Sequence, residues 1–256
     1  MSEENRESSA PPAAHGLEDT RRLWRALPNR LFAFLLASDA FFVGIYVLAI
    51  VMGFAFKKSF AIVNLDAETN PSSWFSATQL FLPGIAFLML GSRFILIRKR
   101  AWELRRLWLV LGFGMVYLSM DEGGEVHERL GKILSRVHMP GVRGGGQWVS
   151  LYVIVMVLLL IYVFRDLPVV WRTWRTEVLV FLSGFVVLAI GEIGFEGLEI
   201  IYKWHGYAHL WQIGFEEGVS MVGGSIIAYA AFRVLGNVLG SEPDGGEPAS
   251  LSPPSA

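Results

Sequence analysis

The chain contains no cysteine among its 256 residues. This absence excludes disulfide bonds, thiolate metal sites, iron–sulfur clusters and cysteine nucleophiles. Charge is also scarce, because Asp, Glu, Lys and Arg together make up 18% of the residues, against about 25% in soluble domains. The 22 basic and 23 acidic side chains nearly cancel, which argues against a nucleic-acid partner, since such a partner selects a basic face.

Apolar side chains are abundant instead. They form 53% of the sequence, and the mean hydropathy is +0.46. A membrane-spanning helix needs about 20 mainly apolar residues. Six stretches approach this length, at about 31–56, 74–97, 107–128, 147–164, 177–201 and 210–232. We therefore predict an all-α polytopic membrane protein, a bundle of six transmembrane helices that forms one domain over residues 21–238.

The two ends of the chain are polar. Residues 1–20 and 239–256 are rich in Ser, Pro, Gly and acidic side chains, a composition typical of disordered tails. Orientation follows from Lys and Arg, which concentrate in cytoplasmic loops. With the N-terminus inside, the inner segments hold fifteen of these residues and the outer loops seven. This distribution predicts that both termini are cytoplasmic.

Acidic residues occur inside the predicted spans, where they are costly. A carboxylate at the bilayer centre costs about 2.5–3.5 kcal/mol on insertion scales. Counted from the cytoplasmic boundary at about 1.5 Å per residue, Asp121, Glu192 and Glu217 lie at depths of roughly 22, 26 and 24 Å. Three helices are thus predicted to present carboxylates in one layer near the outer face. The full set is Asp121, Glu122, Glu125, Glu128, Glu192, Glu196, Glu199, Glu216 and Glu217.

The acids of spans three and five share one spacing. Positions i, i+4 and i+7 fall on a single stripe of each helix, and the two spans run in the same direction, so their stripes can face each other. On span six, Glu216 shares a face with His209, one heptad earlier. On a continuous helix, His127 lies about 100° or more from Asp121, so we expect it to point away from that carboxylate.

An acid-rich helix bundle is typical of a divalent-metal site. Oxygen ligands favour Mg²⁺ or Mn²⁺, with Fe²⁺ as a further candidate, over Zn²⁺. A bound metal could activate water or polarise a phosphate or ester. The first hypothesis is therefore a metal-dependent enzyme that acts on a lipid or lipid-linked substrate. Its expected metal ligands are Glu125, Glu128, Glu192, Glu196 and Glu217, with Glu122, Glu199 and His209 as secondary candidates.

Three further residues receive catalytic roles in this hypothesis. Asp121 and Glu216 are candidate general bases or supports for the ligands. His127 is a candidate orienting or proton-relay group.

Two other functions account for the same acids. Intramembrane acids often mark ion pathways, so a proton- or cation-coupled transporter or channel is the first alternative. It would recruit Asp39, roughly 13 Å from the cytoplasmic boundary at Arg30. The second alternative is a structural or interaction subunit of a membrane complex, whose acids bind a partner. The expected partners are the lipid bilayer, a lipid substrate if the protein is an enzyme, and further copies of the chain.

Several short runs carry a resemblance. They are Asn64-Leu65-Asp66 and Asn70-Pro71-Ser72-Ser73 before span two, the span-three run Leu118-Ser119-Met120-Asp121-Glu122 followed by His127-Glu128, and the acids Glu196, Glu199, Glu216 and Glu217. Together they resemble a set of bacterial six-span membrane proteins without a known activity, from span one to span six. The resemblance implies a multi-pass protein of the bacterial inner membrane. It brings no substrate or reaction.

Overall fold

The computed structural model describes residues 12–54, 58–67, 70–92, 104–124, 126–134, 147–195, 198 and 201–241. Within these ranges every regular element is a helix, which confirms the predicted all-α class. The elements are α1 Pro12–Val51, a 3₁₀ helix Lys58–Ile62, α2 Pro71–Gly91, α3 Arg105–Gly124, α4 Val126–Leu134, α5 Gln147–Val163, α6 Leu167–Thr173, α7 Arg175–Ala189, a π-helical segment Ile190–Phe195, and α8 Tyr207–Gly240.

Helix α2 begins at a capped turn just before the predicted span of 74–97. Asn70 is the N-cap residue, and its Oδ1 accepts a hydrogen bond from the backbone N–H of Ser73 at 3.0 Å. Pro71 occupies the first helical position, where its missing N–H costs nothing. The helix then continues through Pro83 to Gly91.

Helix α1 begins earlier than predicted. It starts at Pro12, so residues 12–20 of the expected N-terminal tail are helical. Good helix formers such as Ala13, Ala14 and Leu17 occupy this stretch, and an exposed i, i+4 ion pair joins Glu18 to Arg22. At the other end of the chain, α8 ends at Gly240, and residues 1–11 and 242–256 of the expected tails lie outside the described residues.

Two predicted spans are interrupted. Span three, expected over 107–128, consists of α3 and the separate helix α4. Span five, expected over 177–201, consists of α7 and the π-helical segment that continues it to Phe195. Glycine explains part of this, because it is a poor helix former and occurs at 123 and 124 and again at 191 and 194.

Helix α8 is the centre of the packing, against α1, α2 and α7. It runs antiparallel to α1, to which it is tied near both ends. The Tyr46 hydroxyl donates to the carbonyl oxygen of Leu210 at 2.8 Å, and Arg25 Nε donates to the carbonyl oxygen of Gly240 at 3.1 Å. The pair α1–α8 is thereby fixed in register along most of its length.

Glycines bring α7 and α8 into backbone contact. A Cβ on Gly223 would lie 2.6 Å from the backbone N of Leu188, and one on Gly184 would lie 2.9 Å from the backbone N of Ile227. The same holds between α2 and α3, where a Cβ on Gly112 would lie 2.9 Å from the backbone N of Leu88. Small residues allow this close approach between membrane helices.

Ion pairs close one end of the bundle, which we call the basic end. Arg106 on α3 donates to Asp166 at 2.8 Å, and Arg233 on α8 donates to Glu177 on α7 at 3.1 Å. Both acids are buried. Each carboxylate thus has an arginine partner where the helix ends meet.

Three helices are long and apolar enough to cross a membrane, namely Glu18–Val51 within α1, α2 and α8. A fourth is counted if Ser150–Val163 and α6, which meet at 74°, form one bent span. In the part of the chain that the structure describes, α3 carries acids and arginines at its two ends and α7 has only 15 residues. The predicted number of six spans therefore stays a prediction.

Helix α5 exposes apolar side chains around its circumference. Every residue from Val153 to Ile161 is exposed, and all are aliphatic or methionine. A soluble monomer rarely exposes a contiguous apolar patch beyond a few hundred Å², and a helix that is apolar all round suits a hydrocarbon environment. This surface supports membrane insertion.

The backbone contact at Gly223 predicts a large effect of one methyl group. Gly223→Ala should lower the free energy of unfolding by about 1–3 kcal/mol, because Leu188 cannot move without its backbone. Thermal unfolding of the detergent-purified protein measures this. Gly114→Ala is the control, since a Cβ there meets nothing within 4 Å and alanine favours the helix. Equal stability of the two variants would contradict the close contact of α7 and α8.

Candidate functional site

Five carboxylates from three helical elements and one loop form a group that we call the acidic cluster, defined by electrostatic interaction with Glu217: Asp66, Glu122, Glu192, Glu216 and Glu217 itself. Glu217 on α8 lies within electrostatic range of the other four acids. Glu122 on α3 and Glu217 are half-buried, whereas Glu192 on the π-helical segment is exposed. The structure thus brings together acids that the sequence placed at similar depths, and it adds Asp66 from the loop before α2.

The π-helical segment positions Glu192. A Cβ on the neighbouring Gly191 would lie 2.9 Å from the backbone N of Ser220 and 3.0 Å from the carbonyl oxygen of Glu216. The backbone immediately before Glu192 therefore contacts the backbone of α8 at Glu216 and Ser220. Single π turns within helices occur frequently at functional sites. The Ser220 hydroxyl is buried and has no hydrogen-bond partner among the described residues.

Asp121 organises a second group beside the acidic cluster. Its Oδ1 accepts from the backbone N–H of His127 at 2.6 Å and lies 3.1 Å from Nδ1 of the same residue. Its Oδ2 accepts from the Tyr152 hydroxyl of α5 at 3.0 Å. The Tyr152 hydroxyl lies 2.7 Å from that of Tyr117. Asp121 is buried, and these bonds join α3, α4 and α5.

The expected direction of His127 was wrong. The prediction assumed one continuous helix, whereas α3 ends at Gly124 and α4 begins at Val126. This break turns the start of α4 toward the end of α3, and the Asp121 carboxylate then bonds the His127 N–H. A carboxylate is a favourable acceptor for free N–H groups at a helix start.

Polar side chains also follow one another along α8. His209 Nδ1 lies 3.1 Å from Oε1 of Gln212, and Gln212 Nε2 donates to Oε2 of Glu216 at 3.0 Å. Because Gln212 donates through its nitrogen to Glu216, its oxygen is the acceptor for His209. His209 and Glu216, predicted to share a face, are therefore joined through a residue that the sequence analysis overlooked.

The remaining predicted ligands are only partly covered. Glu125, Glu196 and Glu199 lie outside the described residues, and Glu128 lies on α4 with its side chain undescribed. Among the residues that the structure does describe, no group of three or more His, Asp or Glu is placed to hold a metal ion. The predicted ligand set combines both kinds of residue, so the metal site stays a prediction.

A third polar group lies deeper in the bundle, and we call it the buried triad: Asp39 on α1, Gln79 on α2 and Ser225 on α8. Gln79 Nε2 donates to Asp39 Oδ1 at 2.7 Å and contacts Ser225 Oγ at 2.8 Å. Ser225 Oγ donates to Asp39 Oδ2 at 2.7 Å. Their exposed fractions are 3%, 1% and 0%. Each residue comes from one of the helices that are long and apolar enough to cross a membrane.

Sequence analysis singled out Asp39 but missed its partners. Gln79 is the one amide side chain of α2, and a buried amide in a mainly apolar helix is a signal that it has a partner. Ser225 gave no such signal, since serine is common in membrane helices as a small residue. Tyr152 was similarly hidden in an apolar span.

The bonds of Asp121 predict a local change when it is replaced. Asp121→Ala should speed hydrogen–deuterium exchange at the first amides of α4 by about fivefold, because loss of a capping acceptor costs about 1 kcal/mol. Mass spectrometry of peptides covering residues 126–134 measures this. Asp121→Asn, which retains one acceptor oxygen, is the matched control. Unchanged exchange in Asp121→Ala would show that this carboxylate does not stabilise the start of α4.

Comparison with known proteins identifies a family. A family model described as a domain of unknown function, DUF8692, matches residues 40–235, which is more than half of the chain. Neither the curated proteins nor the solved structures contain a match. The predicted membership of a family without a known activity is confirmed, and the match covers the acidic cluster together with Gln79 and Ser225. The chain belongs to the DUF8692 family.

Proposed function

We propose that this protein is a six-span protein of the bacterial inner membrane, with both termini cytoplasmic, that carries protons or small cations. The three helices apolar enough to span a bilayer support membrane insertion. The excess of Lys and Arg in alternate loops supports the orientation. In this orientation the acidic cluster faces the outside and the basic end faces the cytoplasm.

The buried triad is the observation that carries the transport proposal. Asp39 is an ionisable side chain enclosed by three long apolar helices, and such residues characteristically mark ion or proton pathways. A purely structural role would be served at lower cost by an apolar residue, because burial of a carboxylate loses its hydration. Both of its hydrogen bonds come from neutral side chains, Gln79 and Ser225, so neither supplies a compensating charge.

Glu217 of the acidic cluster lies on the same side of α8 as Gly224, which borders Gln79 of the buried triad. Glu217 and Gly224 are one heptad apart, so they share a face and differ in depth by about 10.5 Å. Gln79 packs against Gly224, since a Cβ there would lie 3.4 Å from Cβ of Gln79. A cation attracted to the cluster is therefore within about two helical turns of Asp39.

Buried polar groups connect these two levels on α2 as well. Ser72, Ser76 and Gln79 are all buried, and their spacing of i, i+4 and i+7 places them on one stripe. The stripe starts at the first turn of α2 and ends at the triad. It supplies hydroxyl and amide groups that can replace water around a moving ion.

The interior between the triad and the basic end is mainly apolar. Among the described residues, the only buried polar side chains beyond the triad toward the basic end are Asp166 and Glu177, and both are paired with arginines. From Ser225 to Arg233 the distance along α8 is about 12 Å, and Ile227, Ala231 and Val234 fill the interior there. The buried polar groups thus lead from the triad toward the acidic cluster and not toward the basic end, which supports a carrier whose ion path begins on the outer side.

Ion flux in proteoliposomes tests the carrier. Wild-type protein should move protons or Na⁺ down an imposed gradient, followed with an internal pH dye and with ²²Na⁺. Glu217→Gln should reduce the flux to that of empty liposomes, because the central carboxylate of the cluster is removed. Glu18→Gln, which alters an exposed acid on α1, is the control and should retain full flux.

Other results of this experiment would assign a different function. No flux of either ion in wild-type protein, with a divalent metal that copurifies and is lost in Glu217→Gln, would overturn the carrier in favour of the enzyme. No flux and no metal, with altered assembly of Glu217→Gln, would favour a structural subunit of a membrane complex.

The absence of native cysteine allows the orientation to be tested directly. Ile62→Cys and Thr173→Cys each place one thiol at an exposed position, in the loop before α2 and at the end of α6. An impermeant maleimide added to spheroplasts should label Ile62→Cys at once and Thr173→Cys only after permeabilisation. The reverse pattern would invert the proposed orientation, and labelling of both before permeabilisation would contradict the number of spans.

A metal-dependent enzyme that acts on a lipid is the second candidate, and the contact between Asp121 and His127 favours it. A carboxylate that bonds a histidine ring fixes its orientation, as in many metal and acid–base sites. In that function Glu125, Glu128, Glu192, Glu196 and Glu217 would hold Mg²⁺, Mn²⁺ or Fe²⁺. Asp121 or Glu216 would act as the base, and a bilayer lipid would be the substrate.

A further inference from the structure

The buried triad has the geometry of a cation site occupied by an amide. Gln79 Nε2 lies 2.7 Å from Asp39 Oδ1 and 2.8 Å from Ser225 Oγ. Both neighbours are oxygens, and the partly positive N–H₂ group lies between them. A small cation beside Asp39 Oδ1 and Ser225 Oγ would replace the contact that these two oxygens now make with the amide hydrogens.

The oxygen atom of the Gln79 amide has unused hydrogen-bonding capacity. Gln79 Oε1 is buried and has no hydrogen-bond partner among the described residues, although a buried acceptor left unsatisfied costs about 1–3 kcal/mol. It borders Gly224, where a Cβ would lie 3.5 Å from it. The missing side chain leaves a space the size of a methyl group beside the amide, and a water there could donate to Oε1.

We propose that Asp39, Gln79 and Ser225 form a Na⁺ site, with the Gln79 amide as the group that gives way to the ion. A half-turn about the last side-chain torsion of Gln79 exchanges Nε2 and Oε1. It directs a carboxylate, an amide and a hydroxyl oxygen from three different helices at one point. Na⁺ is a hard cation, and hard cations select oxygen ligands of this kind.

The charge of the site selects a monovalent ion. Asp39 is its one carboxylate, and its partners in the described structure are the neutral Gln79 and Ser225. One Na⁺ therefore gives a neutral complex, which is the least costly form in an apolar interior. A divalent cation would leave a net positive charge there. The oxygens are also close together, which favours a small ion over K⁺.

This assignment rests on the proposed carrier function, because it names the ion that the carrier would bind at its centre. It also explains why the amide is a glutamine. The side chain satisfies Asp39 when the ion is absent and offers an oxygen when the ion is present, which neither a leucine nor a lysine could do.

Binding of ²²Na⁺ to the detergent-purified full chain tests the site. Measurements are made in choline chloride at constant ionic strength, with K⁺ and Mg²⁺ as competitors. Wild-type protein should bind one Na⁺ per chain, which K⁺ and Mg²⁺ displace poorly. Asp39→Asn should abolish binding, because the charge that neutralises the ion is removed. Ser225→Ala should weaken it at least about tenfold, by loss of one ligand to a charged group.

Ser119→Ala is the matched control. Its hydroxyl is also nearly buried in the bundle and donates to the carbonyl oxygen of Ala77, but it lies outside the triad. Ser119→Ala should bind Na⁺ as wild type does. If Asp39→Asn does not fold, the Na⁺ affinities of Ser225→Ala and Ser119→Ala still decide the outcome. Both variants remove one hydroxyl from the interior, but only Ser225→Ala removes a proposed ligand.

Three results would overturn the Na⁺ site: no saturable binding by wild-type protein, equal displacement by K⁺, or equal affinities of Ser225→Ala and Ser119→Ala. The flux assay separates this failure from that of the carrier. Proton flux in Na⁺-free buffer without Na⁺ binding would overturn the site and retain the carrier. Intact Na⁺ binding with no flux of either ion would retain the site and overturn the carrier.

Discussion

Backbone contact along α8 is the constraint on which the rest of this structure depends. Helices in a membrane gain little from burying apolar side chains, since lipid is as apolar as leucine, and their association relies on close packing. Gly184 and Gly223 allow α7 and α8 to meet without intervening side chains. Once α8 is fixed in this way, Glu217 and Ser225 have defined neighbours, and the acidic cluster and the buried triad follow from the register of one helix.

The polar interior is arranged in levels along that helix. Along α8, Glu217 of the acidic cluster and Ser225 of the triad are separated by about 12 Å, and Arg233 at the basic end lies about 12 Å beyond Ser225. The last level is self-contained because Arg233 and Glu177 neutralise each other. The first level contains several carboxylates, and in the second Asp39 bonds the neutral Gln79 and Ser225, which is why they, and not the basic end, are suited to bind a cation.

Much of this arrangement could be predicted because it depends on the fixed rise per residue of an α-helix. The helical rise places Asp121, Glu192 and Glu217 at similar depths without knowledge of the fold, and Glu122 follows Asp121 directly. The partners of Asp39 depend instead on which face of α2 meets α8, and one sequence does not define that face. The predicted direction of the His127 side chain was wrong for a local reason. Its angle from Asp121 assumed a continuous helix, but α3 ends at two adjacent glycines, Gly123 and Gly124. Residues 12–20 became helix for a similar reason, since local helix propensity outweighed a polar composition.

Two of the tightly packed helix pairs in the described bundle are α1 with α8 and α2 with α3. Helices α1 and α8 are joined at both ends by side-chain bonds to carbonyl oxygens, and α2 and α3 are joined through Gly84 and Gly112. Asp39 and Ser225 belong to the first pair and Gln79 to the second. Hydrogen bonds from a single amide therefore cross from the second pair to the first, beside the direct packing of α2 against α8. Rotation of that amide would break both bonds, so the ion site and the polar contact between the two pairs would change together.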